Sequence, residues 1–222
     1  MVHGFASSFD HTWRKNGWVD ILGDLGRPVV PVELLGHGTA PRPTDPAAYE
    51  EVDALVAVAL PDEPFDAVGF SAGAGILLRL AVDHPGRIRR LALLGLGDNV
   101  FAGGDPAPIV KALEGQGDPE DIQGELFRRL ADSAGNDPAA LVAFLRQRGR
   151  ILTEDELATV NCPVLVVFGD KDFIGSADRL VAALPSVQLV PLAGVDHFAT
   201  PSDFGAIDAV ITFLDVPPGS AD

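Results

Sequence analysis

The stretch from Phe65 to Asp83 constrains the fold of this chain more strongly than any other. It begins with a short apolar run, Ala67–Phe70, which is too short for a buried helix and predicts a buried strand. Apolar side chains then recur at helical spacing, at Ala74, Leu77, Leu78 and Ala81. This spacing predicts one face of an amphipathic helix, so we interpret the stretch as a strand, a tight turn and a helix.

The turn carries the sequence Gly69-Phe70-Ser71-Ala72-Gly73, a G-x-S-x-G pattern. Between a strand and a helix this pattern is typical of a nucleophile elbow, in which the serine lies on a strained turn. Glycines flank the serine because side chains there would collide with the neighbouring strand and helix. We therefore expect the Ser71 hydroxyl to lie exposed above the sheet, beside the first amides of the helix.

The chain has 222 residues, enough for one domain with a sizeable core, and 47% of them are hydrophobic. No apolar run approaches the length of a membrane span, and no secretory signal is visible. The single cysteine, Cys162, excludes an internal disulfide and fits a reducing compartment, so we expect a cytoplasmic protein. Because Cys162 precedes Pro163 at the start of a strand, we interpret it as a small buried apolar residue.

The formal net charge of −16 disfavours nucleic acid and anionic membranes as partners, because a surface this acidic repels both. No His/Cys cluster has the spacing of metal ligands, and no glycine-rich nucleotide fingerprint stands out. We therefore expect no metal and no organic cofactor. The sequence leaves open whether the chain forms a homo-oligomer.

Strand and helix patterns alternate along most of the chain, which predicts an α/β fold with a mostly parallel sheet covered by helices on both faces. Further strands are predicted up to Phe5 and at Val29–Leu34, Ile88–Leu96, Val164–Phe168 and Val187–Leu192. Further helices are predicted at about Asp10–Leu25, Ala47–Val58, Ala177–Leu184 and Pro201–Leu214, the last with Phe204 facing inward.

Residues 99–159 lack strand patterns and predict a helical insertion, with helices near Ile109–Leu113, Pro119–Ala131 and Pro138–Arg148. The insertion is too small for a core of its own. We therefore predict a core made of residues 1–98 and 160–214, a helical cap at 99–159 and a disordered tail at 215–222.

The cap carries aromatic and basic side chains whose roles the sequence does not fix. Its aromatic residues are expected either to line a pocket or to pack the cap onto the core: Phe101, Phe127 and Phe144. A basic run is interpreted as a solvated face rather than as a binding site for an acidic ligand: Arg146, Arg148 and Arg150.

Reactive side chains follow several predicted strands, and the carboxyl ends of parallel strands meet at one edge of a sheet. Ser71 follows the elbow strand, Asp172 follows the Val164–Phe168 strand, and His197 follows the Val187–Leu192 strand. A serine needs an adjacent base to become a nucleophile, and a carboxylate can fix the tautomer of a histidine that serves as that base. The order Ser71, Asp172, His197 is the one expected for this elbow class.

The backbone amides of Phe5 and Ala72 are predicted to bind an oxyanion beside Ser71. Other assignments remain open or are structural. Asp98 ends the preceding strand and is an alternative carboxylate to Asp172. His3 and His37 are interpreted as loop supports rather than as bases.

Five motifs in this order resemble the α/β-hydrolase fold superfamily over nearly the whole chain: His3-Gly4-Phe5, Gly36-His37-Gly38, Gly69–Gly73, Gly169–Asp172 and Gly194–Phe198. The resemblance implies a serine nucleophile, an acidic residue, a histidine base and a helical cap inserted before the strand that carries the acid. It disfavours haloalkane dehalogenases and epoxide hydrolases, which have an aspartate where Ser71 stands.

The resemblance leads us to expect a serine esterase-like enzyme that cleaves a small carboxylic ester or thioester. Three alternatives stay open: a carbon–carbon bond hydrolase of the meta-cleavage type, a cofactor-free perhydrolase, and a non-catalytic remnant or binding protein of the same fold.

The start of the chain departs from the family pattern, because Met1 stands only two residues ahead of His3. Compared with the family pattern, two edge strands are missing. The strand that ends at Phe5, which in the family lies between the Val29–Leu34 strand and the elbow strand, is reduced to a stub. We expect this stub to leave backbone groups of both neighbours unpaired. Three explanations of the missing strands are open: the start at Met1 lies downstream of the true start, the gene is shortened, or a partner replaces the strands. We favour the first.

Overall fold

The computed structural model describes residues 1–118, 120–147 and 149–215. Within these ranges the central sheet has four strands in the order β1 (Phe65–Phe70), β2 (Ile88–Leu94), β3 (Val164–Gly169) and β4 (Val187–Leu192). All three neighbouring pairs are parallel. The predicted α/β class with a parallel sheet is confirmed.

The α-helices of the described ranges are, in chain order, α1 (Trp18–Asp24), α2 (Val52–Ala59), α3 (Ala72–Asp83), α4 (Ala107–Leu113), α5 (Ile122–Ser133), α6 (Pro138–Arg146), α7 (Glu154–Leu157), α8 (Asp178–Ala183) and α9 (Phe204–Asp215). Short 3₁₀ turns lie at Pro46–Tyr49, Asp98–Phe101 and Thr200–Ser202, and a π-helical turn lies at Asp10–Arg14. None of these helices combines the length and the apolar character needed to cross a bilayer.

The two faces of the sheet bury separate apolar clusters because successive side chains of a strand point to opposite faces. On β2, Leu91 and Leu93 join one cluster, which α2, α3 and α8 cover. Ala92 and Leu94 join the other, which α1 and α9 cover. The sheet is therefore a middle layer, and its carboxyl edge is left for the loops.

The N-terminal stub extends this sheet on the β1 side. Val2 forms parallel bridges to Val32 on one side and to Gly69 on the other, which is the position predicted for the stub. Its amide donates to the carbonyl of Val68, and its carbonyl accepts from the amide of Phe70, both at 3.0 Å. The backbone groups of β1 that face Val2 are thus paired, while unpaired groups beyond the stub stay a prediction.

The predicted strand Val29–Leu34 is wrong in extent, because only Val32 makes a bridge. Backbone groups of Val30 and Val32 face the stub, since the amino group of Met1 donates to the carbonyl of Val30 at 2.9 Å. The segment still passes beside the stub, where the amide of Val32 donates to the carbonyl of Met1 at 3.3 Å.

Several helix predictions also need correction. The predicted helix Asp10–Leu25 is broken at Gly17, whose φ of 81° belongs to the left-handed region. Within this stretch Trp13, Trp18 and Leu22 are buried, whereas Leu25 is 46% exposed. Phe204, predicted to face inward, is the first residue of α9 and is 86% exposed.

The segment between β2 and β3 is helical, with α4, α5 and α6 packed against one another. Its buried side chains, Phe127 and Leu141 among them, form a third apolar cluster with Phe5 and Ala6. The helix predicted at Ala47–Val58 is α2 preceded by a 3₁₀ turn.

Some predicted boundaries lie outside the described residues. Pro119 and Arg148, at which two cap helices were predicted to begin and end, are among them, as is the predicted tail from residue 216. Asp215, assigned to the tail, instead ends α9. The division of the chain into core, cap and tail stays a prediction.

Candidate active site

Ser71 lies on a strained turn between β1 and α3. Its φ of 51° and ψ of −114° are outside the regions that side chains with a Cβ favour. Such a conformation costs about 1–3 kcal/mol and persists only where the surrounding structure imposes it. Here the Ser71 amide donates to the carbonyl of Leu94 at 2.9 Å, and its carbonyl accepts from Gly75 at 3.0 Å, so both ends of the turn are held.

The flanking glycines are required by close backbone contacts, as the G-x-S-x-G pattern predicts. A Cβ at Gly69 would lie 2.7 Å from the amide nitrogen of Ala74. A Cβ at Gly73 would lie 2.5 Å from the carbonyl oxygens of both Val2 and His3. The elbow is therefore pressed against its own helix on one side and against the N-terminal stub on the other.

His197 joins Ser71 to a buried carboxylate. Its Nε2 is 2.9 Å from Ser71 Oγ, and its Nδ1 is 2.8 Å from Asp172 Oδ2. His197 is 2% exposed, and the side chain of Asp172 is fully buried. Because a carboxylate only accepts hydrogen bonds, Nδ1 carries the hydrogen and Nε2 faces the serine hydroxyl as an acceptor.

The loops that carry Asp172 and His197 are fastened to each other. Asp170 Oδ1 accepts from the amide of Gly194 at 2.7 Å, and the amide of Lys171 donates to the carbonyl of Val195 at 3.0 Å. A further bond, from the amide of Ile174 to Asp172 Oδ1 at 2.9 Å, fixes the rotation of the carboxylate. The carboxylate and the imidazole are thus held in register by backbone groups of both loops.

The alternative acid and the lone cysteine lie elsewhere. Asp98 Oδ1 accepts from the amide of Leu180 at 2.9 Å, which ties the end of β2 to α8 rather than to His197. Burial raises the pKa of Cys162 to about 11, so its thiolate is disfavoured. Asp196 is exposed and accepts from the amide of Ala199.

Aromatic rings surround the imidazole of His197. The ring centroids of Phe70, Phe173 and Phe198 lie 5.0, 4.5 and 5.7 Å from that of the histidine. Apolar rings at these distances limit the access of water to the imidazole and strengthen its interaction with Asp172.

Phe5 and Ala72, whose amides were predicted to bind an oxyanion, border the same space as Ser71. Both residues line, together with Ser71, one end of a cavity of about 320 Å³. In the described part of the chain neither amide donates to a backbone carbonyl. Phe5 precedes Ala6, whose φ of 61° turns the loop sharply.

Asn136, which the sequence did not single out, braces this loop from the segment between α5 and α6. Its Nδ2 donates to the carbonyls of Ala6 at 2.9 Å and Ser7 at 2.8 Å, and its Oδ1 accepts from Gly38 at 2.8 Å. Asn136 is 7% exposed. An asparagine before Asp-Pro is typical of a turn, so no pattern in the sequence pointed to this role.

His3 and His37 lie behind the loop and do not reach Ser71. His3 Nδ1 donates to the carbonyl of Gly4 at 2.8 Å, and its Nε2 accepts from Leu34 at 3.1 Å. The Nδ1 of His37 donates to Leu35 at 3.0 Å. Burial lowers the pKa of His37 to about 3, so the ring stays neutral.

The aromatic residues of the predicted cap divide between the two roles left open. Phe127 and Phe144 line the cavity and also contact Phe5, with ring centroids 5.7 Å away in each case. Phe101 instead packs under the guanidinium of Arg179 at 3.9 Å.

The basic residues of the predicted cap are paired with acids where the structure describes them. Arg146 binds Glu114, and Arg150 binds both Asp83 and Glu156. Arg148 lies outside the described residues. Across residues 1–118, 120–147 and 149–215, no three His, Cys, Asp or Glu side chains form a group that could hold a metal ion.

A serine on a tight strand–helix turn, followed along the chain by an acidic residue and a histidine from later strand ends, is the arrangement of the α/β-fold hydrolases. The model of the family described as the alpha/beta hydrolase family matches residues 1–207. The chain belongs to the alpha/beta hydrolase family.

Curated relatives include esterases and other hydrolases. The chain is 32% identical over 212 residues to a 2-hydroxymuconate semialdehyde hydrolase of Pseudomonas sp. (strain CF600), covering 86% of this chain and 67% of that protein. It is 33% identical over 201 residues to a pimeloyl-[acyl-carrier protein] methyl ester esterase of Neisseria meningitidis, covering 78% of this chain and 74% of the relative. The chain thus spans about two thirds to three quarters of their length.

Solved structures share the fold at lower identity. An esterase from Exiguobacterium antarcticum superposes with a TM-score of 0.71 at 18% identity, over 97% of this chain and 91% of that one. An enol-lactonase from Burkholderia xenovorans LB400 gives a TM-score of 0.70 at 18% identity, over 96% and 90%.

Proposed function

We propose that the chain is a serine hydrolase that cleaves a carboxylic ester or thioester through an acyl-enzyme on Ser71. The observation that carries this proposal is the continuous contact from Ser71 Oγ through His197 to the buried Asp172. A serine hydroxyl becomes nucleophilic when a base at this distance can take its proton. A neutral imidazole whose tautomer is fixed by a carboxylate is such a base.

In the acylation step, Ser71 Oγ attacks the carbonyl carbon while His197 Nε2 takes the hydroxyl proton. The carbonyl electron pair moves onto oxygen, where the amides of Phe5 and Ala72 donate hydrogen bonds to the oxyanion. Each such donor contributes about 3–4 kcal/mol. When the carbonyl re-forms, the bond to the leaving oxygen or sulfur breaks, and His197 returns the proton to the leaving group.

In the deacylation step, water attacks the acyl-enzyme carbonyl and gives a proton to His197. Collapse of the second tetrahedral intermediate breaks the bond to Ser71, which recovers its hydroxyl proton from the imidazolium. Asp172 stays ionised throughout and stabilises the imidazolium. The products are an acid and an alcohol or thiol, and no cofactor takes part.

A second candidate is the reaction of a carbon–carbon bond hydrolase, which can use the same three side chains. It is favoured by the 32% identity, over 86% of this chain, to a protein named as a 2-hydroxymuconate semialdehyde hydrolase. A substrate panel that pairs simple esters with ring-cleavage semialdehydes separates the two, since the preferred class will have the larger kcat/KM.

A small-molecule substrate and a cytoplasmic location remain predictions.

The test is labelling by a fluorophosphonate probe, followed by turnover of 4-nitrophenyl esters. We expect labelling to be lost in Ser71→Ala and strongly slowed in His197→Ala. The matched control is His84→Ala, an exposed histidine just beyond α3. A folded protein that takes up no label would contradict the proposal and favour a non-catalytic protein of this fold.

A further inference from the structure

One face of α3 forms the floor of the cavity beside Ser71. Ser71, Gly75 and Arg79 follow one another at intervals of four residues and all line the cavity. The cavity therefore begins at the reacting serine and continues along the helix towards an arginine.

This cavity lies on the acyl side of the reaction centre. It is lined by Ser71 and by both candidate oxyanion donors, Phe5 and Ala72, whereas His197 is not among the described residues that line it. In the proposed mechanism the leaving group must face His197, which returns the proton to it. The acyl part of the substrate is then the part that the cavity receives.

The middle of the cavity is apolar and has free volume over Gly75. Its walls include Ile76, Leu96, Phe127 and Phe144. A Cβ at Gly75 would meet no atom closer than Arg79 Nη1, at 3.5 Å. A short methylene chain fits against these apolar side chains, which offer no partner to a polar group.

The end of the cavity holds an incompletely paired guanidinium. The Nε and Nη2 of Arg79 bind the carboxylate of Asp53, with Nη2 2.8 Å from Oδ1. Nη1 lies towards Gly75 and Gly149 and has no hydrogen bond within the described part of the chain. The side chain of Arg79 is only 13% exposed, so a donor is held at the cavity with no acceptor from the protein.

The neighbouring charges favour an uncharged acceptor. Among the described residues, two arginines line the cavity, Arg79 and Arg150, and both are paired. Three carboxylates pair with them: those of Asp53, Asp83 and Glu156. Since acids outnumber bases in this group, a free carboxylate on the substrate would gain less here than a neutral carbonyl of the same shape.

We propose that the substrate carries an uncharged carbonyl or other hydrogen-bond acceptor at the far end of a short acyl chain, and that Arg79 binds this acceptor. The proposal rests on the proposed acyl-enzyme function of Ser71. Four helical residues span about 6 Å, and the guanidinium lies about one contact distance beyond Gly75. Since covalent bonds are about 1.5 Å long, we expect the acceptor atom of the substrate to lie roughly four to seven bonds along the acyl chain from the reacting carbonyl.

The experiment compares kcat/KM for three probes: 4-nitrophenyl hexanoate, 4-nitrophenyl 5-oxohexanoate and 4-nitrophenyl hydrogen glutarate. The second and third place a neutral and a charged carbonyl group at the same carbon. We expect the oxohexanoate to be preferred over the hexanoate by about tenfold, the value of one hydrogen bond to a charged donor. In Arg79→Met this preference falls to about one.

Two further variants make the outcome decisive. Asp53→Asn keeps the shape around Arg79 but removes the neutralising charge, so the glutarate ester should gain on the oxohexanoate by several-fold. Arg89→Met, an exposed arginine paired with Asp66 away from the cavity, should leave every ratio unchanged. Thermal unfolding checks that each variant is folded. If Arg79→Met is unfolded, the ratio of glutarate to oxohexanoate turnover in Asp53→Asn tests the proposal instead.

Failure of this inference is distinguishable from failure of the proposed function. If hexanoate turnover depends on Ser71 but the oxohexanoate preference is absent, or is equal in wild type and Arg79→Met, the role of Arg79 is refuted and the hydrolase stands. An unchanged glutarate ratio in Asp53→Asn refutes the charge argument. If no ester is turned over in a Ser71-dependent way, both proposals are refuted.

Discussion

Two glycines in the first turn of α3 should respond to alanine in opposite directions. At Gly75, the new methyl group would meet nothing closer than 3.5 Å, so only the helix propensity changes. Alanine then stabilises the fold by about 0.5–1 kcal/mol. At Gly73, the methyl group would lie 2.5 Å from the carbonyl oxygens of Val2 and His3, which are backbone atoms. Overpacking of this kind costs about 1–3 kcal/mol.

The two variants should therefore differ by about 1.5–4 kcal/mol in the free energy of unfolding. For a chain of this length each kcal/mol moves Tm by about 2–4 °C, so their midpoints should lie roughly 3–16 °C apart on either side of wild type. Fluorescence of the buried Trp13 and Trp18 can follow the melts. A Gly73→Ala variant as stable as wild type, or a Gly75→Ala variant that melts lower, would refute the packing argument.

Three other predictions test the site and its surroundings. Asp172→Asn should lower kcat for ester turnover by about 10⁴-fold, whereas Asp98→Asn keeps its acceptor for Leu180 and should change kcat little; equal losses would contradict the assignment of the acid. The pKa of His37 is about 3 in the fold against 6.5 for a free histidine. The unfolded chain therefore binds a proton that the fold excludes, and stability falls by about 1.4 kcal/mol per pH unit as pH drops below about 6. Urea titrations at several pH values should show that the free energy of unfolding depends less steeply on pH in His37→Gln than in wild type. Equal slopes in the two proteins would disprove this. With its pKa raised to about 11, Cys162 should react with a thiol reagent at about pH 8 only when denaturant opens the fold, so rapid native labelling would argue against its burial.

The site was predictable because its parts obey rules that need no tertiary detail. Ser71 was found from a strand, a turn and a helix, and Asp172 and His197 from their places after later strands. Parallel strands bring their carboxyl ends to one edge, so three distant residues had to meet there. The structure brings them within hydrogen-bond distance, while their catalytic roles stay proposals.

What the sequence could not predict depends on contacts between distant segments. Asn136 braces the loop of Phe5 from 130 residues away, and nothing near it in the chain distinguishes it from a turn residue. The free Nη1 of Arg79 is visible only once Asp53 and Gly149 are placed around it. The expected strand at Val29–Leu34 is reduced to one bridge, at Val32, because its backbone partners in the structure lie on the short stub at Met1 and Val2.

The N-terminal stub links the stability of the sheet to the geometry of the site. The carbonyl of Val2 accepts from Phe70 at 3.0 Å, and the same carbonyl oxygen lies 2.5 Å from the position that a Cβ at Gly73 would take. Pairing of the stub with β1 thus fixes how close the loop of Phe5 comes to the start of α3. Because the Phe5 and Ala72 amides belong to that loop and that helix, a change that weakens the pairing should lower kcat as well as Tm. The Gly73→Ala variant should show both losses together, whereas Gly75→Ala touches neither backbone and should not lower Tm.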